Sequence, residues 1–382
     1  MKINNIEKLG VGLSPLGFGG MRMPFIGNEP DMKQIEQMFD TCIRGGVNYF
    51  DTAYFYHDGR SEEILGACLS RYPRDSFFVA DKLPLWECKE AGDMTAIFNN
   101  QKSRLRVDCI DFYLIHALGA GGWEKAKQLG AYEFQKRLKE QGLCKFIGFS
   151  FHDSSQALEK ILDESDYDFV QIQMNYYDAQ GDAYACYELL RDRCIPIIIM
   201  EPVRGGALAD PIHEVRELFS KADKNASPTS WALRYCGSLP GVINILSGMS
   251  TLAQCEENIG IFDDFKPLDV MESVIVGEAV KLINQAGQTG CTGCRYCVDC
   301  PSGVDIPRML GMLDEYKKLN AGPQFLWHYG EAKRAGTDDG KCTRCMVCVE
   351  RCPQKINVPD VLRDIGELAK AFKQQRCDSD GK

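Results

Sequence analysis

Between Ser14 and about Asp263, short apolar runs rich in β-branched and aromatic residues alternate with longer stretches of helical period. The runs are "SPLGFGG", "VNYFDTA", "FFVADK", "IDFYLIH", "KFIGFS", "FVQIQMN", "IPIIIM" and "GVINILSG". Almost no polar residues alternate within them, which suits strands buried on both faces of a parallel sheet. The stretches between are patterns such as "DMKQIEQMFDTCIRGG", whose closing glycine pair is a helix stop. Eight strand–helix units over roughly 250 residues predict an α/β fold, a (β/α)8 TIM barrel rather than an open sheet. A further amphipathic helix is expected from Asp269 to Gln288, leading out of the barrel.

The remainder is cysteine-rich and internally repeated. "CPSGVDIPRMLGML" and "CPQKINVPDVLRDI" share a Cys-Pro, a second proline and a following helical pattern. That second proline falls where the first turn of a helix tolerates it. Each Cys-Pro closes a run of four cysteines, Cys291, Cys294, Cys297 and Cys300 at every third residue, then Cys342, Cys345, Cys348 and Cys352 with a last step of four. Three thiolates at i, i+3 and i+6 wrap a tight turn and converge on one cubane, leaving a fourth iron to be bound from elsewhere. The second run matches the bacterial ferredoxin spacing C-x2-C-x2-C-x3-C-P; the first shortens its last gap by one residue. In two-cluster ferredoxins the fourth cysteine serves the other cluster. Cys291, Cys294, Cys297 and Cys352 are therefore assigned to one [4Fe–4S] centre, and Cys342, Cys345, Cys348 and Cys300 to the other. Two zinc knots are the competing reading, but zinc more usually takes two Cys-x-x-Cys pairs set a dozen or more residues apart. Long helical patterns and few strand signals point to a mainly α-helical ferredoxin-like module. The expected division is a barrel over residues 1–268, a connecting helix over 269–288 and the two-cluster domain over 289–382, with "CDSDGK" as a frayed tail.

Composition narrows the partners. Hydrophobic residues make up 45% and charged residues 26% of the 382, as in globular proteins, and the net charge of −10 argues against nucleic acid or an anionic membrane. "MKINNIEKLG" has no apolar signal core, and no apolar run approaches spanning length, so a cytoplasmic location is expected. Of the 18 cysteines, ten lie outside the two runs without a pairing pattern and read as reduced core residues.

Candidate chemistry gathers where the apolar runs end. Asp51 closes the second run with Tyr56 just beyond, Lys82 closes the third, and His116 the fourth. The C-terminal ends of barrel strands face the active-site mouth. Singly, such a histidine is more often structural and such an aspartate a helix cap; four polar groups on three adjacent strand ends are harder to dismiss. On "NYFDTAYFY" and the later lysine and histidine, the sequence resembles an aldo-keto reductase over about residues 5 to 263, in the branch with a C-terminal two-cluster extension. The resemblance implies an NAD(P)H-dependent oxidoreductase with Asp51, Tyr56, Lys82 and His116 as its catalytic tetrad and a small-molecule carbonyl as substrate. Tyr56 would protonate the carbonyl oxygen, although a free phenol titrates near ~10. Lys82 is expected to lower that value, Asp51 to hold Lys82, and His116 to orient the carbonyl.

For the nucleotide, the resemblance implies contacts from Gly20, Met21, Asp51, Ser150, Gln171, Met200, Ser247, Gly248, Ser250, Gln254, Glu257 and Asn258. Four places depart from the family pattern. Phe151 stands where an asparagine is expected, and Met200 where an aromatic ring commonly stacks on nicotinamide; Met200 reads equally well as a core methionine. Gly248 and Gln254 stand where many members place the Lys and Arg that hold a 2′-phosphate, which weakens the case for NADP over NAD.

Hydride chemistry moves two electrons and an iron–sulfur cluster one, and no separate flavin signature is present to convert between them. Three functional readings follow: a carbonyl reductase whose clusters are structural or serve an unidentified redox protein; an electron-transfer protein whose clusters feed the barrel; and a nucleotide-binding redox sensor.

Overall fold

The computed structural model describes residues 1–286, 289–291 and 294–380, the last six of these by backbone alone. Its contacts divide into two units. The first comprises Met1–Gly205 and Thr229–Ser273, the second Gly206–Pro228 and Val274–Lys382.

In the first unit the chain opens with an antiparallel hairpin, β1 (Asn4–Ile6) and β2 (Val11–Leu13), and continues into β3 (Leu16–Gly19). A second small hairpin pairs β4 (Phe25–Ile26) with β5 (Glu29–Pro30). The remaining strands are β6 (Tyr49–Asp51), β7 (Phe78–Leu83), β8 (Ile110–Leu118), β9 (Cys144–Phe151), β10 (Phe169–Gln173), β11 (Ile197–Met200) and β12 (Val242–Ser247). Strands β3 and β6 to β12, one from each of the eight apolar runs, close into a parallel barrel in the order β10-β11-β12-β3-β6-β7-β8-β9. Its helices are α1 (Met32–Arg44), α2 (Ser61–Leu69), α3 (Ala91–Leu105), α4 (Ala120–Leu129), α5 (Ala131–Glu140), α6 (Ser155–Asp163) and α7 (Asp182–Asp192). Helix α1 starts where Asp31 accepts the Gln34 N–H and stops at Gly45, as the glycine pair in its sequence predicts.

The strands are apolar on both faces, and the period of two decides which residue goes where. Tyr49, Ala80, Phe112, Leu114, Phe169, Ile198 and Leu246 fill the inside of the ring, with Leu13 and its hairpin packed against them. The intervening Phe50, Val79, Tyr113, Ile115, Phe149, Val170 and Ile199 join the helices in a larger outer core. Of the cysteines outside the two runs, Cys42, Cys68, Cys88, Cys144, Cys186, Cys236 and Cys255 are buried free thiols. At the turn after β3, a Cβ on Gly20 would come within 3.0 Å of the Asp51 carbonyl oxygen and of Leu65 and Ser61, so this position favours glycine.

The second unit is helical. It contains α8 (His213–Ala222), drawn from the chain between the last two barrel strands, whereas α9 (Pro228–Gly237) and α10 (Leu252–Asp263) belong mainly to the barrel. The sequence-based bounds left residues 206–228 with the barrel; contacts group them with the C-terminal residues. The predicted connecting helix is α11 (Val270–Gln285), and Gly287 and Gln288 lie outside the described residues. Beyond the cysteines run α12 (Ile306–Leu319), α13 (Gly322–Ala335), α14 (Val347–Arg351) and α15 (Val358–Asp380). Pro307 and Pro359 sit in the first turns of α12 and α15, as the repeat predicts. Ile306, Met309, Leu310, Leu313, Phe325, Tyr329, Leu362 and Ile365 form this unit's own core. Helix α15 carries on through most of the stretch expected to be a frayed tail, because no glycine or proline falls between Gly366 and Gly381, which with Lys382 lies outside the described residues.

Candidate active site and cysteine cavities

Six predicted site residues lie two positions or fewer beyond the inner core on successive strands, and so share its face. Asp51 follows Tyr49, Lys82 follows Ala80, His116 follows Leu114, Gln171 follows Phe169, Met200 follows Ile198, and Ser150 lies in the same phase of β9. Asp51 and Met200 close their strands, Lys82 and Ser150 stand one residue before the end, and His116 and Gln171 two residues before it. Lys82 Nζ donates to Asp51 Oδ1 at 2.5 Å and to the Thr52 carbonyl at 2.7 Å, with both side chains under 5% exposed. The same ammonium lies 5.1 Å from the ring centre of Tyr56, which comes from the loop after β6. The Tyr56 ring meets His116 edge-on at 6.0 Å. The four residues predicted as a tetrad are thus in one cluster.

Their electrostatics differ from the sequence expectation in one respect. Burial pushes the Tyr56 phenol above its ordinary value, and Lys82, though it pulls downward through charge and a hydrogen bond, does not reverse this; Asp51 and Glu201 push up as well. Lys82 itself is disfavoured by burial, but Asp51 and Tyr56 outweigh that and hold its ammonium above the usual range. Burial also raises the Asp51 carboxyl, against the pull of Lys82. His116 is pushed down to about 3, first by burial and then by Lys82 and His152, so its imidazole is neutral at pH 7. Its Nδ1 is buried with no partner among the described residues.

On the nucleotide side, Ser150 Oγ accepts the Ala117 N–H at 2.8 Å, and Gln171 Nε2 reaches Met200 Sδ at 3.6 Å. Gln171 Oε1 is buried and unpaired among the described residues, an acceptor open to a ligand donor. Phe151 is 2% exposed and belongs to the outer core, so no polar group stands there. Gly20 is buried and Met21 is 52% exposed in the turn after β3. At the other end, Asn258 Nδ2 donates to Ser247 Oγ at 2.9 Å, both buried, and ties α10 to β12. Gln254 Oε1 accepts the Ser250 N–H at 2.7 Å, while Glu257 stays exposed.

Sequence reasoning missed several neighbours of this cluster. Trp86 packs against His116 at 5.1 Å and stacks on Phe55 at 5.7 Å, and both aromatic rings are more than 40% exposed. The signal was available in "KLPLWE", directly after Lys82. His152, the next residue but one after Ser150, contacts Gln173 at 3.3 Å. Glu201 follows Met200 with φ 57°, a strained value for glutamate, and Asn175 Nδ2 holds its carbonyl at 3.1 Å. Nothing in the local sequence announces that conformation.

In the second unit the two cysteine runs exchange their last members. One cavity is lined by Cys291, Cys294, Cys297 and Cys352, together with Ile306, Leu310 and Ile356. A second is lined by Cys297, Cys300, Cys345 and Cys348, and Cys342 is among the groups that raise the Cys348 thiol. Burial raises the thiols of Cys297 and Cys348, and the neighbouring cysteines of each set raise them further. Among the described residues no three ligating side chains close on a single metal ion. Four thiols around a cavity with apolar walls fit a larger, cationic iron–sulfur core, which thiolate ligands neutralise.

The chain belongs to the aldo/keto reductase family, whose model matches residues 15–275, and a 4Fe-4S dicluster domain model matches residues 290–356. It is an oxidoreductase by that membership, carrying an iron–sulfur domain. Among curated proteins it is similar to an L-galactose dehydrogenase of Arabidopsis thaliana, 24% identical over 295 residues, 71% of this chain and 88% of that one. It is also similar to an NADH-specific methylglyoxal reductase of Escherichia coli, 24% identical over 302 residues, 66% of this chain and 89% of that one. Among solved structures, an aldo-keto reductase from Bacillus halodurans in its holo form superposes with a TM-score of 0.62 at 21% identity, covering 73% of this chain and 96% of that one. An aldo-keto reductase from Klebsiella pneumoniae in complex with NADPH gives 0.59 at 17% identity, covering 73% and 95%. Among the described residues, no helix is long and apolar enough to cross a membrane.

Proposed function

We propose that the barrel reduces an aldehyde or ketone to an alcohol with NAD(P)H, and that Tyr56 is the general acid. The observation that carries this reading is the convergence of the buried Lys82–Asp51 pair, Tyr56 and neutral His116 on one rim of the barrel. Bound reduced nicotinamide supplies the hydride. Tyr56 holds its proton at neutral pH because burial raises the phenol, which is what a proton donor needs before the reaction. Lys82 keeps its charge beside the ring, so it favours the phenolate left after transfer. Asp51 fixes Lys82 in place by its 2.5 Å contact. His116, being neutral, can donate an N–H to the carbonyl oxygen without competing for the proton. Gln171 and Ser150 orient the nicotinamide amide, and Met200 packs against its ring, a thioether contact worth ~0.3–1.5 kcal/mol. Phe55 and Trp86 form the outer wall against which the substrate lies.

Nucleotide preference is not inherited from the relatives, since one is NADH-specific by name and one neighbour holds NADPH; family habit favours NADP. Two [4Fe–4S] clusters occupy the cysteine cavities, one on Cys291, Cys294, Cys297 and Cys352 and the other on Cys300, Cys342, Cys345 and Cys348. When bound they supply single electrons, and they serve an unidentified redox protein or a structural role.

The test is Tyr56→Phe, assayed by NAD(P)H oxidation across a panel of aldehydes and ketones. Losing the proton donor lowers kcat by about 10²- to 10⁴-fold with nucleotide binding retained. Unchanged turnover in the variant would refute the role given to Tyr56.

A further inference from the structure

The turn after β3, Gly20–Arg22, ends on an arginine that is exposed and makes no hydrogen bond or ion pair with a described residue. An exposed arginine is most often simply solvated. This one is set apart by what it lies across. A Cβ built on Gly248, just after β12, would stand 3.2 Å from Arg22 Cδ, 3.2 Å from its Cγ and 3.4 Å from its Cβ. Ordinary contact between carbon atoms begins at about 3.5 Å, so a side chain at 248 would press on the present course of Arg22 and shift it by a few tenths of an ångström. The glycine that removes an expected lysine is the same glycine that lets the arginine stem pass.

The surroundings are short of other positive charge for an anion. Gln254, the second place where a cation is expected, is neutral, and its Oε1 is already used by the Ser250 N–H. Helix α10 starts at Leu252 under a Thr251 cap, with no acidic residue in its first turn to repel an anion. The Arg22 stem passes beside Gly248, which lies in the loop that carries Ser247 and Ser250 and leads into this helix.

We propose that Arg22 is a specificity-determining residue for the nucleotide. Its guanidinium pairs with a phosphate of bound NAD(P)H and supplies, from the turn after β3, the charge that many family members place at positions 248 and 254. The proposal rests on the nucleotide reading given above. Arginine suits the role because its planar fork takes two phosphate oxygens at once.

The test uses the full-length, cluster-loaded protein, titrated anaerobically with NADPH and with NADH by nucleotide fluorescence. Arg22→Gln weakens NADPH binding about 10- to 100-fold, the range for a lost charge-assisted pair. A loss confined to NADPH assigns Arg22 to the 2′-phosphate, and an equal loss for NADH assigns it to the pyrophosphate; both support the proposal. The double variant Arg22→Gln with Gly248→Lys regains most of the NADPH affinity, which separates lost charge from lost fold. Arg22→Gln binding both nucleotides as the unmodified protein does would overturn the proposal, as would a double variant no better than the single one. An unmodified protein that binds neither nucleotide removes the parent reading instead.

Discussion

At the barrel mouth, Asp51, Lys82 and His116 come from three strands and Tyr56 from the loop after β6, and Lys82 and Asp51 hold each other without a ligand. In the second unit, eight cysteines come from two compact runs, gathered around two cavities. Lys82 finds Asp51 at 2.5 Å, whereas the thiols of Cys297 and Cys348 are raised first by burial and then by the neighbouring cysteines, against the pull of a backbone N–H. The first site is electrically closed before any cofactor arrives. The second is a set of like groups whose deprotonation is favourable only around a cation. A scaffold that pairs its charges can be rigid while empty; one that concentrates like ligands depends on its metal.

The largest effect to expect is therefore confined to the second unit. Stripping iron under reducing conditions should melt α12 to α15 while leaving the barrel folded, seen as partial loss of helical circular dichroism and protease cleavage restricted to residues beyond about position 286. Equal loss in both units would break the contrast. The exchange of cysteines sharpens it: Cys352→Ala should remove the cluster held by the first run and spare the one held by its own run, so iron content falls by about half. A variant that loses only the second cluster would contradict the exchange.

Next in size is the Lys82–Asp51 pair. Lys82→Met leaves a carboxylate buried without its partner and should cost about 3–5 kcal/mol in denaturant unfolding. Adding Asp51→Asn should recover part of that loss. A neutral outcome for the single variant would mean that the pair is not closed as described.

The smallest effect is in pH. His116 has a folded pKa of about 3, below the ordinary value of about 6.5. Between these values the unfolded chain binds the extra proton, so the stabilising difference is complete above pH 6.5 and is lost as pH falls toward 3. Between pH 6.5 and 4.5 this amounts to on the order of 2–3 kcal/mol. His116→Asn should flatten that part of the pH–stability profile relative to the unmodified protein. Parallel profiles would show that the imidazole is not held neutral by burial.

Much of this was legible along the chain. The eight apolar runs named the eight strands because strands buried on both faces need uninterrupted apolar residues. Asp51, Lys82 and His116 could be brought to one rim from the ends of their runs, and Tyr56 from the loop just beyond β6. Cys352 was assigned to the opposite run from spacing alone. Legibility failed where the third dimension adds an opposing force. Tyr56 was expected to be acidified by Lys82, but burial, invisible in "TAYFYHD", outweighs the ammonium. Residues 206–228 carry barrel-like helical signals and group with the C-terminal residues. Trp86, His152 and Glu201 sit on loops beyond the strand ends, where period carries no information.

By itself the sequence determined the barrel strands, most of the helices and the iron–sulfur character of the cysteine-rich domain, because periodicity, glycine placement and cysteine spacing are local properties. Only the tertiary structure decided their charge states and their reach. Burial is a property of the closed barrel, not of any one strand. The passage of Arg22 across Gly248 joins residues more than two hundred positions apart, and no local rule of sequence contains that contact.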